Sequence, residues 1–100
     1  MQPGTSKIEH DEAVRLFALQ LQSHGYDVRA RVEGWFQAPD YVNGYRPDIV
    51  VRIGSQVLLI EVKKGDVDWP KISALERSNF RVVVVSPEDA ILKRMAELQF

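Results

Sequence analysis

The stretch from Arg46 to Lys63 constrains this chain more than any other. Ile49-Val50-Val51-Arg52-Ile53 and Gln56-Val57-Leu58-Leu59-Ile60 flank Gly54-Ser55. Two runs rich in Ile, Val and Leu around a two-residue turn describe a β-hairpin. Glycine at the first turn position supplies the positive φ of a type II′ turn. With Gly54 and Ser55 as the loop, Ile53 faces Gln56. Counting outward pairs Arg52 with Val57, Val51 with Leu58, Val50 with Leu59, Ile49 with Ile60, and then Asp48 with Glu61. Side chains alternate between faces along a strand, so Asp48, Glu61 and Lys63 share one face with Val50 and Leu59.

Directly opposed residues have Cβ atoms roughly 5 Å apart, and like charges placed there are destabilising. A divalent cation removes the objection. Hard carboxylate oxygens suit Mg²⁺ or Mn²⁺, which keep several waters and add substrate phosphate oxygens. Lys63, two residues after Glu61, can then hold an attacking water or steady charge developing on a phosphate. A purely structural hairpin, with Lys63 neutralising Glu61, leaves Asp48 opposite Glu61 without an explanation.

Pro47-Asp48, a spacer and Glu61-Val62-Lys63 resemble the signature of the PD-(D/E)xK nuclease superfamily. The context agrees: an Asp opening one strand, an ExK closing the next, and a helix ahead of both. The resemblance covers nearly the whole chain and implies a restriction-endonuclease-like core. Small members such as the archaeal Holliday-junction resolvases are of similar size. It implies a site in which Asp48 and Glu61, helped by the backbone carbonyl of Val62, hold Mg²⁺ (or Mn²⁺) while Lys63 positions water. Family members often place an acidic residue near the start of the first helix in the site, and a further Gln or Lys on the helix after ExK. Lys71 is the better of two cations for that last position, ahead of Arg77.

One hundred residues bound the chain to one domain, 1–100, with a loose start over residues 1–5. The absence of cysteine excludes disulfides and thiolate metal sites. No apolar run is long enough to span a bilayer and no signal-peptide core is visible, so the expectation is a cytoplasmic (intracellular) protein without a membrane partner. A net charge of −1 is not that of a dedicated nucleic-acid binder, although acidic metal ligands lower the sum and its distribution matters more.

Ser6-Lys7-Ile8-Glu9 reads as a capping box, Ser6 being the N-cap of a helix that runs to about Ser23 and closes at Gly25. Ala13, Val14, Phe17, Ala18 and Leu21 form its apolar stripe, widened by Leu16 and Leu19. Extended one turn back, the stripe reaches His10, which fits the inward phase best and can serve as neutral ligand or proton carrier. Glu9, Asp11 and Glu12 are the acidic candidates, Glu12 lying on the Leu16–Leu19 side. Their plain role is as favourable charges near a helix N-terminus. Tyr26 to Glu33 alternates as a half-buried strand antiparallel to the Asp48 strand, with Asp27, Arg29, Arg31 and Glu33 on a charged outer face; Arg29 and Arg31 are in a position to touch phosphates, and a solvated face is the simpler account of them. Gly34 to Tyr45 is a long ordered connection whose Trp35, Phe36, Tyr41 and Tyr45 either cover the sheet end or stack on bases.

Beyond Lys63, Asp68 caps a short helix with Pro70 in its first turn and Asn79 as terminator. Lys64 is near enough to help bind phosphate, though it points to the opposite face from Lys63. Val82 to Val85 reads as a buried, central strand parallel to a neighbour. Ser86 and Pro87 read as N-cap and first residue of a last helix carrying Ile91, Leu92, Met95 and Leu98. The order α-β-β-β-α-β-α implies an α/β fold, a small mixed sheet flanked by helices.

The functional expectation is a metal-dependent endonuclease hydrolysing phosphodiester bonds in DNA, with structure-dependent substrates preferred because no appended domain reads sequence. Its catalytic candidates are Asp48, Glu61, Lys63, His10 and Glu12, its metal ligands Asp48, Glu61 and Val62, and its nucleic-acid contacts Lys64, Lys71 and Tyr45. A homodimer presenting two sites is inferred from size. The alternative is a catalytically inactive nuclease-fold module that binds nucleic acid or a protein partner.

Overall fold

A computed structural model describes residues 5–98. Its elements are helix α1 (Thr5–Ser23), strands β1 (Asp27–Ala30), β2 (Ile49–Ile53) and β3 (Gln56–Val62), helix α2 (Trp69–Glu76), strand β4 (Arg81–Val85) and helix α3 (Ile91–Glu97). The four strands form one mixed sheet in the order β1-β2-β3-β4. β1 and β3 lie antiparallel to β2, and β4 lies parallel to β3. This is the expected α-β-β-β-α-β-α order. No described helix is long and apolar enough to cross a membrane.

The hairpin has the register that its turn dictates, from Ile53 opposite Gln56 to Ile49 opposite Ile60. Gly54 has φ +63°, and Ser55 is not among the residues with positive φ. That combination is a type II′ turn, whose backbone twist matches the twist of the strands it joins.

The pleat divides the sheet into two faces. Ile49, Val51, Leu58, Ile60, Val62, Val28, Ala30, Val83 and Val85 pack with Val14, Phe17, Ala18 and Leu21 of α1 and with Ile91 and Met95 of α3. On the other face, α2 buries Ile72, Ala74 and Leu75, and Leu59 is buried there with Asp48 and Glu61. Helices therefore cover both sides of the sheet, α2 as the crossover between the parallel strands β3 and β4.

Several local expectations are corrected. α1 already contains Thr5, so the helix starts before the Ser6 capping box; residues 1–4 lie outside the described residues. Its far end is as expected: the Tyr26 N–H donates to the Leu21 carbonyl and the Gly25 N–H to the Gln22 carbonyl, with Gly25 at φ +95°, a Schellman closure. Leu16 and Leu19 are exposed, so the buried stripe of α1 is the narrower one. β1 stops at Ala30 instead of Glu33, because the chain turns back through the Trp35 N–H to Val32 carbonyl bond.

β4 is an edge strand, not a central one. Val83 and Val85 are buried while Val82 and Val84 are half-exposed, since α2 is too short to cover that whole face. α3 begins at Ile91, with Ala90 as its N-cap. The Ser86–Asp89 segment spends its capping groups on itself: the Ser86 N–H donates to Asp89 Oδ2 and the Asp89 N–H to the Ser86 carbonyl. Such a local turn competes with helix initiation. Asp68, by contrast, caps α2 as expected, its side chain accepting the Lys71 N–H with Pro70 in the first turn.

Gly54→Ala tests the hairpin turn. A Cβ at Gly54 would meet nothing within 4 Å, so the cost is backbone strain alone. The expected loss is about 1–3 kcal/mol, read from the midpoint of urea denaturation.

Candidate functional site

β2 and β3 part beyond the Ile49–Ile60 pair, and the two carboxylates bridge the opening. The Asp48 N–H donates to Glu61 Oε2 at 2.9 Å, and the Val62 N–H donates to Asp48 Oδ2 at 2.9 Å. Each side chain thus takes an amide from the opposite strand where a carbonyl would otherwise stand. The Arg31 N–H donates to the Asp48 carbonyl at 2.8 Å, continuing the β1–β2 ladder one step past its assigned end. Asp48 is 5% exposed and Glu61 7%, and few carboxylates are buried so far without compensation.

The compensation comes from two helices. From α1, His10 Nε2 lies 3.1 Å from Asp48 Oδ2, and its Nδ1 lies 3.1 Å from Asp11 Oδ1. The hydrogen bond to Asp48, helped by Asp11 and opposed by partial burial, raises the imidazole from 6.5 to about 9. His10 is therefore an imidazolium at neutral pH, donating through both ring nitrogens. From α2, Lys71 Nζ reaches Glu61 Oε1 at 2.8 Å. The Glu61 carboxyl is still pushed up, first by burial and then by the charge of Asp48, with Lys71 acting against both.

His10 and Lys71 thus join the site, one as a direct partner of Asp48 and the other of Glu61. Lys63 is exposed. Its N–H donates to the Val85 carbonyl at 2.8 Å, which prolongs β3 and sends the side chain off on the Glu61 face. It forms no ion pair with Glu61 among the described residues; Lys71 does. The Val62 side chain is buried in the core and its amide serves Asp48.

Glu12 is exposed and borders a shallow depression with Glu9, Leu16, Lys64 and Glu88, so it is not brought to Asp48. Lys64 pairs with Glu88 at 3.6 Å. Tyr45 is 37% exposed and closes a small turn in which the Val42 N–H donates to the Tyr45 carbonyl and the Tyr45 N–H to the Val42 carbonyl. Asn43 and Gly44 both have positive φ there, and the Asn43 amide donates to the Ala74 carbonyl of α2. The Asn-Gly pair was a readable turn signal inside what the sequence analysis treats as one long connection.

Asp48 opens on a cleft of about 350 Å³ that it lines with His10, Asp11 and Arg31. Asp48 Oδ2 carries both side-chain bonds, and Oδ1 takes none among the described residues. No three His, Cys, Asp or Glu side chains among the described residues form a ready-made metal cage. The donors on hand are two hard carboxylates and backbone oxygen, which suit Mg²⁺, an ion held by one or two carboxylates with water filling the rest.

Two outcomes test this electrostatic account. Lys71→Met leaves a buried carboxylate without its cation and is expected to cost about 3 kcal/mol at neutral pH. The cost shrinks in acid, where Glu61 takes a proton; urea denaturation at pH 5 and pH 8 measures both. His10 has a raised pKa, so its stabilisation is complete below 6.5 and is lost as pH rises through about 9. Thermal melts across this range should therefore converge at high pH for the wild type and His10→Gln, the wild type being more stable in acid.

No family profile, curated protein or solved structure matches this chain.

Proposed function

We propose that the protein is a metal-dependent nuclease that hydrolyses phosphodiester bonds in DNA. The observation that carries the reading is the Asp48–Glu61 pair itself. Two buried carboxylates bridge adjacent strands: Asp48 lines a cleft and has an oxygen without a partner among the described residues, and Glu61 is held above its usual pKa by burial and then by the charge of Asp48. Burial and like-charge pairs shift pKa values where acid–base or metal chemistry is done, so a perturbed carboxylate beside a cleft points to a functional site. Asp48 and Glu61, with the Val62 carbonyl, would hold Mg²⁺ or Mn²⁺, and the ion when bound supplies charge stabilisation to the phosphoryl oxygens.

The remaining residues divide the rest of the work. Lys63 is exposed on the Glu61 side and is the group to orient water against the phosphorus or to steady the developing charge. Lys71 occupies Glu61 Oε1 and would exchange that contact when Glu61 turns to a cation. His10 anchors Asp48 Oδ2 and leaves Oδ1 to the cleft. A chain of this size grips little DNA, and a homodimer offering two sites belongs to the same proposal.

One observation favours a second reading. Both Glu61 oxygens are already bonded inside the protein, to Lys71 and to the Asp48 amide, as a non-catalytic binding module on this scaffold would allow. Calorimetric titration of Mn²⁺ into the wild type and Asp48→Ala separates the two. Binding that disappears in the variant supports the nuclease; absence of binding to the folded wild type, with and without DNA, supports the module. In the nuclease case, Lys63→Ala should lower the cleavage rate about 100- to 1000-fold while leaving Mn²⁺ affinity in place.

A further inference from the structure

Two guanidinium groups stand beside the Asp48 cleft without a carboxylate partner. Arg31 lines that cleft and also a neighbouring one of about 250 Å³, whose wall includes Arg46. Four other cations are paired with carboxylates: Arg29 with Asp40, Lys64 with Glu88, Lys71 with Glu61 and Arg94 with Glu97. Neither Arg31 nor Arg46 forms an ion pair among the described residues. The acidic groups nearby are accounted for. Asp11 accepts from His10, and Glu33 lines the second cleft without coming within ion-pair distance of either arginine.

Both arginines are held in place. Arg31 is fixed in register by its N–H bond to the Asp48 carbonyl. Arg46 lies two residues before Asp48, across the buried Pro47. Its Nε is buried and has no hydrogen-bond partner, and its Cζ sits 4.8 Å over the Tyr41 ring. The ring holds the guanidinium over its face, and no carboxylate among the described residues fills the fork. Such a fork matches the oxygens of a phosphate. Tyr41 remains 66% exposed, so the ring surface away from Arg46 is open to a second planar group.

We infer that Arg31 and Arg46 grip the backbone phosphates of a DNA strand entering the Asp48 cleft, and that Tyr41 stacks an unpaired base of that strand. This rests on the nuclease reading and adds its substrate class: DNA with a single-stranded segment at the point of cleavage. A base inside a duplex is already stacked on its neighbours and has no free face for Tyr41. An unpaired base has one, and aromatic stacking accepts it whatever its identity.

The test is fluorescence anisotropy of labelled DNA of about 20 nucleotides, in EDTA so that the metal site plays no part. The strands are single, flapped and blunt duplex. The wild type is expected to bind the first two more tightly than the third. Tyr41→Ala should weaken single-strand binding about 5- to 150-fold, the worth of one stacked base, and Tyr41→Phe should retain it. Arg31→Ala with Arg46→Ala should lower affinity about tenfold or more and reduce the salt dependence of log K by about 1.4, as two lost phosphate contacts predict. Arg46→Lys keeps the charge without the stacked fork and should recover only part of the loss.

Equal binding of blunt and single strands by the wild type overturns the inference. So does an arginine pair variant, folded by circular dichroism, whose affinity and salt slope match the wild type. The nuclease reading fails separately, by the absence of Mn²⁺ binding at Asp48, which these variants do not touch.

Discussion

Two negative charges facing each other at the open end of a β-ladder are the constraint on which this structure turns. At a separation of ordinary cross-strand neighbours, Asp48 and Glu61 repel, and both are nearly removed from water. The protein meets that cost with charge-assisted hydrogen bonds from every direction. Amides come from the opposite strand, an imidazolium from α1 and an ammonium from α2. The helices on the two faces of the sheet are thereby tied to the same few atoms, and the layer structure and the site are one arrangement. Burial, and then the charge of Asp48, still push the Glu61 carboxyl up.

A buried carboxylate pair with Asp48 facing a cleft is a chemical resource. Its preference for additional positive charge is what a hard cation would satisfy, and a cation there would stand within reach of anything that the cleft admits. The same electrostatics also divides the surroundings. His10 and Lys71 sit directly on the carboxylates, whereas Arg31 and Arg46, which line the Asp48 cleft and its neighbour, pair with no carboxylate among the described residues. Cations of the first kind hold the pair together; those of the second kind are available to an anionic ligand.

Much of this was legible beforehand. The hairpin register follows from one glycine and the alternation of apolar residues, because a two-residue turn leaves no freedom in pairing. The opposition of Asp48 and Glu61 followed from that register by counting. His10 followed from helical phase, since it lies one turn before the stripe that Ala13, Val14 and Phe17 bury. Glu12 did not come to the site for the same reason: it belongs to the Leu16 and Leu19 side, which turned out to face outward. The last helix was misread at its start because Ser86, Glu88 and Asp89 carry capping groups that serve a turn as well as a helix.

By itself, then, the sequence determined the elements, their order, the hairpin register and the face on which the carboxylates stand, since each is set by interactions between near neighbours in the chain. Only the tertiary structure decided that β4 is an edge strand, that Lys71 rather than Lys63 neutralises Glu61, and that Arg31 and Arg46 border the Asp48 cleft and the one beside it. Those facts depend on where α2 settles against the sheet and how residues 31–46 fold back. Placement of that kind is fixed by packing between segments far apart in sequence, for which no local periodicity or spacing carries a signal.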